Sequence, residues 1–234
     1  MNGIIEEGAL FIADSHYPHH GNDFLLLLQK LVSKEITTPQ LFLMGDNFDL
    51  LFGYNDYVQT FSKEAVDLLQ ALSKTTEIHY FEGNHDFCLA ALFPHIRVYP
   101  RQKQPAVFRM GEKRVALAHG DRYATGFVYH LYATALRNAF MLTLLKPLSR
   151  LLIDFWMKRL SRKQICRPFE AFEERAKQIL SYYDDAALVI EGHFHQGKCF
   201  GKYISLPSLA CQKQIATVKN GRIVFTDIHA LMMK

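Results

Sequence analysis

Five short polar clusters in this sequence combine aspartate, asparagine and histidine side chains that suit divalent cations. They read DSH at residues 14–16, GDNFD at 45–49, GNHD at 83–86, HGD at 119–121 and GHFH at 192–195. Carboxylate, amide and imidazole groups bind manganese, iron, zinc or magnesium, whereas thiolates would favour zinc or copper. The clusters therefore predict a metal site with oxygen and nitrogen ligands.

The spacing within the clusters favours a site for two metals. A pair of cations about 3.5–4 Å apart needs a bridging carboxylate, and Asp46, in a tight Gly-Asp turn, is suited to that position. Asp14 and His16 are two residues apart, as are His193 and His195, and strand residues at that spacing point to the same face. A single cluster can arise by chance, since an aspartate after a strand can simply cap the next helix. Five clusters in this order are far more specific.

Each cluster follows a short apolar run, either directly or after one glutamate, and such runs are typical of buried strands. The runs are residues 9–13, 41–44, 78–81, 115–118 and 187–190. Helical patterns at 23–32 and 57–73 separate the first three runs, and this alternation predicts an α/β fold. In such sheets ligands bind at the carboxyl ends of the strands, where all five clusters fall. Near the C-terminus, short apolar runs around Asn220-Gly221 predict a hairpin.

Length and composition restrict the class of protein. With 234 residues and 49% hydrophobic content, one domain with an insertion is favoured over two domains. The net charge of +4 does not by itself indicate nucleic acid as a partner. The N-terminus lacks a basic region followed by a long apolar stretch, which argues against a signal peptide.

The most apolar stretch, residues 139–157, is interrupted by charged residues and a proline. A membrane-spanning helix needs about 20 apolar residues, so we expect none here. The four cysteines form no CxxC pair, which argues against a structural zinc site and a disulfide framework. We therefore expect scattered reduced thiols in a cytoplasmic protein.

Together, the clusters resemble the signature of the calcineurin-like metallophosphoesterase superfamily: D-x-H, G-D-x-x-D, G-N-H-D, H-G-D and G-H-x-H. The resemblance spans about residues 8–200. It implies a β-sandwich flanked by helices, as a single metallophosphoesterase domain over residues 1–234, and the hydrolysis of a phosphoester. It also implies two divalent ions, with manganese expected and iron, zinc or magnesium as alternatives. One ion would be held by Asp14, His16, Asp46 and His195, and the other by Asp46, Asn84, His119 and His193.

His85 is expected to act on the substrate rather than bind metal. It follows the implied ligand Asn84, a position from which it can stabilise the transition state or protonate the leaving group. Asp49 is its expected orienting partner. His19 and His20 follow the first cluster closely enough to border the site.

The segment 122–183 does not follow the strand–helix alternation and is expected to be a helical insertion. It carries eleven basic and four acidic residues, a balance of +7 in a chain of only +4. Charged residues recur every four positions from Lys146 to Arg162, while Phe155 and Trp156 belong to an apolar face. Such a helix is typical of a membrane-surface element or a lid over an acyl chain. The alternative is a helical pair packed on its own domain with a solvated charged face.

This insertion, together with GNxDF at Gly83–Phe87, resembles the UDP-2,3-diacylglucosamine hydrolases of lipid A synthesis. In that family the insertion forms a lid for acyl chains, and the enzymes split a pyrophosphate into UMP and a lipid monophosphate. The resemblance implies a cytoplasmic enzyme, peripheral on the inner face of the membrane, which it contacts through residues 127–165. Arg150, Phe155 and Trp156 become candidates for binding the nucleotide-linked lipid. That family commonly has arginine after the asparagine, where this chain has His85.

Three other functions remain open at this point. A soluble metallophosphatase or phosphodiesterase acting on nucleotides or phosphoproteins would use the same metals. A non-catalytic metal-bound scaffold would be expected to have lost a ligand, and none is missing here. Nucleic-acid binding through the basic insertion is disfavoured by its apolar face. The oligomeric state is left open.

Overall fold

The computed structural model describes residues 2–123, 137, 149–167, 169–183 and 185–233. Within these residues we number thirteen strands and seven α-helices. The strands are β1 (Leu10–Ile12), β2 (Gln40–Leu43), β3 (Leu51–Phe52), β4 (Glu77–Phe81), β5 (Asp86–Phe87), β6 (Arg97–Tyr99), β7 (Ala106–Met110), β8 (Lys113–Ala118), β9 (Leu188–Glu191), β10 (Lys198–Phe200), β11 (Tyr203–Ser205), β12 (Gln214–Lys219) and β13 (Arg222–Asp227). The helices are α1 (Asp23–Val32), α2 (Asp56–Thr60), α3 (Lys63–Leu72), α4 (Ser149–Leu160), α5 (Phe172–Leu180), α6 (Leu209–Gln212) and α7 (Ile228–Met232).

Most strands belong to two mixed sheets. The first sheet has the order β13-β12-β1-β2-β4-β6, and the second has the order β10-β11-β9-β8-β7. Strands β1, β2, β4 and β6 run parallel, as do β8, β9 and β11. Antiparallel neighbours flank each parallel group: β12 beside β1, β7 beside β8 and β10 beside β11. A short parallel pair, β3 with β5, lies apart from both sheets.

The two sheets pack face to face around an aromatic core. Phe11 and Phe42 of the first sheet stack with ring centroids 4.5 Å apart, and Phe108 of the second sheet meets Phe42 edge to face at 5.5 Å. Val115 and Ile190 of the second sheet complete the same buried cluster. Because successive strand residues point to opposite faces, the other face of each sheet needs a separate cover.

Helices provide that cover on both sides. Leu27 of α1 and Leu69 of α3 are fully buried against the outer face of the first sheet. Ala176 and Ile179 of α5 pack with Val189 on the outer face of the second sheet. The result is an α/β sandwich of two sheets between helical layers, which is the fold class that the sequence predicts.

The strands before all five polar clusters lie where the apolar runs predict them, and α1 has the predicted bounds. The predicted helix at 57–73 is instead divided into α2 and α3. The Asn55 side chain caps α2 by accepting hydrogen bonds from the main-chain N–H groups of Tyr57 and Val58. The predicted hairpin forms between β12 and β13, where Asn220 and Gly221 both take positive φ angles, as a tight hairpin turn requires.

The expectation of four reduced cysteines is wrong for one pair. Cys166 and Cys211 form a disulfide with their Cα atoms 5.4 Å apart, whereas Cys88 and Cys199 are free. The bond joins the segment after α4 to α6, a contact between distant parts of the chain that cysteine spacing alone does not reveal. In the described part of the chain, no helix is both long enough and apolar enough to cross a membrane.

Candidate metal centre

The five polar clusters meet at one edge of the sandwich. Asp14 and Asp46 follow β1 and β2 of the first sheet, whereas His119 and His193 follow β8 and β9 of the second. Since β1, β2 and β4 are parallel, and β8 is parallel to β9, the carboxyl ends of each group meet at a common edge. Both sheets thus contribute side chains to the same site.

The direction of the candidate ligand side chains is set by the backbone of the turns that follow the strands, and not by the alternation of side chains along a strand. The described chain contains nine non-glycine residues with positive φ, and five of them are candidate ligands: Asp14 (52°), His16 (47°), Asp46 (51°), His193 (64°) and His195 (53°). This conformation costs a non-glycine residue on the order of 1–3 kcal/mol and concentrates at functional sites. Main-chain hydrogen bonds from Asp14 N to Gly45 O and from His16 N to Asp46 O, both 3.1 Å, hold the first two clusters together.

One buried group of potential ligands comprises Asp14, His16 and His195, whose donor atoms lie within 4.8 Å of one another. His195 Nε2 is 3.2 Å from Asp14 Oδ1, yet that oxygen and both ring nitrogens of His16 lack a hydrogen-bond partner. A buried polar atom without a partner costs about 1–3 kcal/mol. Converging lone pairs of this kind fit a divalent cation.

The second group comprises Asp46, His119 and His193. His119 donates a hydrogen bond from Nδ1 to the main-chain oxygen of Met44 at 2.9 Å, so Nε2 is the ring nitrogen that faces the other candidate ligands. That nitrogen lies 3.2 Å from His193 Nδ1, 3.6 Å from Asp46 Oδ2 and 3.4 Å from Asn84 Oδ1. The four side chains thus bring two nitrogen and two oxygen atoms close together, with the other three atoms within 3.6 Å of His119 Nε2.

The electrostatics of both groups also suit cations. Burial lowers the pKa of His16 well below its usual value, and burial with repulsion from His119 lowers the pKa of His193 to about 4. A histidine must be neutral to ligate a metal, and these two are neutral near pH 7. Burial also lowers the pKa of His119, but the surrounding carboxylates, with Asp46 foremost, outweigh it and raise that pKa to about 9. The site thus attracts positive charge.

Two glycines allow the clusters to approach so closely. A Cβ at Gly45, where φ is +87°, would collide with the His119 ring. A Cβ at Gly83 would collide with the main chain and carboxylate of Asp46. The glycines of the GD and GN motifs are therefore explained by packing between the clusters.

Asp86 joins two of the clusters although it faces neither group of ligands. Its buried carboxylate accepts hydrogen bonds from the N–H groups of Asp46 (2.9 Å), Asn47 (2.7 Å) and Gly83 (2.9 Å). The hydroxyl of Tyr80 donates a further bond at 2.7 Å. Both oxygens are occupied, so only a carboxylate can accept all of these bonds.

Replacing Asp86 with asparagine is expected to destabilise the fold and the metal site together. The new NH2 group would face main-chain donors, at a cost on the order of 3 kcal/mol. Thermal unfolding should show a midpoint lower by about 6–12 °C, the shift that 3 kcal/mol produces in a protein of this size. Asp67→Asn at an exposed position is the control. An unchanged midpoint would mean that the Asp86 bonds contribute little.

His85 and Asp49 are in contact, but through the main chain of Asp49. His85 Nδ1 donates a hydrogen bond to the main-chain oxygen of Asp49 at 2.7 Å, and the two rings of His85 and His16 are 5.1 Å apart. The Asp49 carboxylate is turned to His19 instead, accepting from its N–H and its Nδ1 at 2.8 Å each. The sequence predicts His19 only at the border of the site and indicates no partner for it.

Helix α4 of the predicted insertion packs beside this centre. Ile153 and Met157 are buried against Phe52 and Phe87, and Phe87 directly follows the GNHD cluster. Of the predicted substrate-binding residues, Phe155 is 60% exposed and Trp156 is 39% exposed. The guanidinium of Arg150 lies over the Tyr57 ring at 5.4 Å. Residues 124–136 and 138–148, which contain much of the predicted membrane-contacting range 127–165, lie outside the described residues.

Two buried residues behind the centre were missed by sequence reasoning. Arg175 of α5 donates to the main-chain oxygen of Gly120 at 3.1 Å and lies 3.7 Å from the Glu191 carboxylate. Its guanidinium also stacks 4.2 Å from the ring of Phe194, between the two histidines of GHFH. Arg175 thus braces both clusters of the second sheet. In the sequence, the available signal for this pair was Glu191, which directly precedes the GHFH cluster.

Comparison with known proteins agrees with this geometry. The sequence model of the calcineurin-like phosphoesterase family matches residues 9–197. The chain is also similar to three proteins named UDP-2,3-diacylglucosamine hydrolase, from Coxiella burnetii (24% identical), Proteus mirabilis (27%) and Photorhabdus laumondii (29%). Each alignment covers 80% of this chain and 80–81% of the relative.

Proposed function

Because the chain belongs to the calcineurin-like phosphoesterase family, it is a metal-dependent phosphoester hydrolase, and we propose that its substrate is UDP-2,3-diacylglucosamine. Cleavage of the pyrophosphate would release UMP and the lipid monophosphate, a step of lipid A synthesis. The names of the relatives support this substrate, since their alignments extend over four-fifths of the chain. We also propose that residues 1–234 are one domain with residues 122–183 as a lid-like insertion.

We propose that the two groups of converging side chains hold two divalent ions, with manganese as the expected metal. Asp46 would bridge them, Asp14, His16 and His195 would complete one site, and Asn84, His119 and His193 the other. When bound, such a pair supplies a nucleophile at neutral pH and neutralises charge on the phosphoryl oxygens.

His85 is the side chain of the protein that acts directly on the substrate. Its Nδ1 is held by the Asp49 carbonyl, so Nε2 is the ring atom left to act on the leaving-group oxygen. The ring is mostly buried, with 8% of the residue exposed, which restricts its orientation. Asp49 positions it.

The observation that carries the choice of substrate is the outer face of α4. Leu151 (74% exposed) and Phe155 (60%) are four positions apart on the helix, and the Phe155 ring lies edge to face with Trp156 at 6.0 Å. The guanidinium of Arg159 lies over the Trp156 ring. Exposed apolar side chains among cations fit acyl chains and an anionic membrane surface. The helix ends beside the centre, because the main-chain oxygen of Leu160 accepts a hydrogen bond from His20 Nε2 at 3.2 Å. We therefore propose peripheral association with the inner, cytoplasmic face of the membrane.

The direct test is to incubate manganese-loaded protein with UDP-2,3-diacylglucosamine and to detect UMP by chromatography. Release of UMP and its loss in Asp46→Ala would support the proposal. Hydrolysis of bis(p-nitrophenyl) phosphate without release of UMP would reject the lipid substrate and favour a soluble phosphodiesterase or phosphatase.

Substitutions on the outer face of α4 should weaken lipid binding without changing the rate of phosphodiester hydrolysis. The double variant Leu151→Ser/Phe155→Ser removes two exposed apolar side chains, each able to contribute about 1.5–3 kcal/mol on burial. We expect binding to anionic vesicles to weaken at least about tenfold, since 1.4 kcal/mol corresponds to tenfold. Hydrolysis of bis(p-nitrophenyl) phosphate should be unchanged. Leu26→Ser, at an exposed position of α1, is the matched control, and equal vesicle binding by both variants would contradict the role of α4.

A further inference from the structure

The Asp49 carboxylate binds a loop that has no part in the reaction described above. It is 1% exposed, and its Oδ2 accepts two hydrogen bonds from a single residue, His19. Its other oxygen lies 3.6 Å from His20 Nε2 and 3.9 Å from His16 Nδ1. Residues 16–20 thus form a histidine loop around one buried carboxylate.

The double hydrogen bond fixes both the main chain and the ring of His19. Since a carboxylate only accepts, His19 Nδ1 must carry a hydrogen. The side chain is nevertheless 29% exposed, whereas its partner is buried, and Nε2 is the ring nitrogen that does not face this carboxylate. An imidazole held in this way is prepared to bind a ligand with its second nitrogen.

The ion pairs of Asp49 suggest which chemical group that nitrogen meets. Within the described residues, the cationic groups found within 4 Å of this carboxylate are all histidines. A buried carboxylate is costly unless a cation compensates it, and His19 at 2.8 Å is the closest of the three. To bind an anionic oxygen, Nε2 must also carry a hydrogen, and a ring with hydrogens on both nitrogens would pair with Asp49 through Nδ1 and offer Nε2–H as a charge-assisted donor.

The position of the histidine loop indicates which anionic group of a substrate His19 would meet. The loop begins at the candidate ligand His16 and ends at His20, which is bonded to Leu160 at the end of α4. It therefore lies between the metal centre and the proposed lipid-binding helix. We propose that His19 binds the second phosphate of a diphosphate substrate, the one that leaves with the lipid. This inference rests on the proposed function for the direction of the substrate.

The test compares binding of phosphate with binding of methylenediphosphonate, a non-hydrolysable diphosphate, by calorimetry on the manganese-loaded protein. His19→Gln should raise the Kd of methylenediphosphonate about tenfold, the loss of one hydrogen bond to a charged group. The Kd of phosphate, the metal content and the hydrolysis of bis(p-nitrophenyl) phosphate should stay within about twofold. His229→Gln, at an exposed position, is the matched control.

A second variant separates contact from positioning. Asp49→Asn should raise the same Kd, and the double variant should be no worse than the weaker-binding single variant, because both changes remove one interaction. Equal effects of His19→Gln on phosphate and methylenediphosphonate, no effect on either, or loss of metal would each overturn the inference. Because neither probe contains uridine or lipid, the result is distinguishable from a failure to release UMP.

Discussion

Replacing Asp46 with asparagine is expected to remove the hydrolytic activity almost completely. The Asp46 carboxylate is buried with one oxygen 3.6 Å from His119 Nε2. Burial raises its pKa, but the surrounding histidines, with His119 foremost, outweigh this and hold the pKa below its usual range. Asp46 is therefore the anion around which the candidate ligands are arranged.

An asparagine at this position keeps the shape of the side chain but loses the charge that two cations would share. Metal ions contribute several kcal/mol of transition-state stabilisation, and 4 kcal/mol corresponds to about 10³ in rate. We expect kcat for bis(p-nitrophenyl) phosphate to fall by about 10³ or more, with less than one metal ion retained per chain by elemental analysis. Asp67→Asn is the control at an exposed position.

The same variant distinguishes a bridging role from a structural one. The main-chain N–H of Asp46, which donates to Asp86, is unaffected by the substitution, so the loop should keep its anchor. Circular dichroism should therefore show an intact fold. Two bound metals and activity within about tenfold of the unchanged protein would remove Asp46 from the centre.

The parts of the molecule that depend on local pattern were predictable from the sequence. The apolar runs place β1, β2, β4, β8 and β9, because a short buried strand has a recognisable composition. Since ligands collect at the carboxyl ends of parallel strands, the polar clusters then follow. The Asn220-Gly221 hairpin was predictable for a similar reason, because few residue pairs adopt its turn.

Other features depend on contacts between distant segments, and no local pattern reports them. The pairing of Cys166 with Cys211 requires the segment after α4 to meet α6. Whether the Asp49 carboxylate accepts a hydrogen bond from His85 or from His19 depends on how two loops approach each other. The positive φ angles of the candidate ligands were also unpredicted, because a D-x-H pair can be read equally well as the end of a strand.

The position of His85 leads to the other large expected effect. His85 contributes to the site in two separable ways: its main-chain N–H donates to Asp46 Oδ1 at 2.9 Å, and its ring is bonded to the Asp49 carbonyl. His85→Gln keeps the first interaction and removes the ring. General acid catalysis is worth about 10²–10⁴ in rate, so we expect kcat to fall within that range. Both metals should remain bound.

The leaving group provides the decisive comparison for His85. A p-nitrophenolate leaves readily without a proton, whereas an alkoxide leaves only with one, so the loss in His85→Gln should be much larger for an alkyl phosphodiester than for bis(p-nitrophenyl) phosphate. His95→Gln, on the exposed surface, should leave both rates unchanged. Equal losses for both substrates would show that the ring stabilises charge on the phosphoryl group instead of protonating the leaving group. Full activity with both substrates would exclude His85 from the reaction.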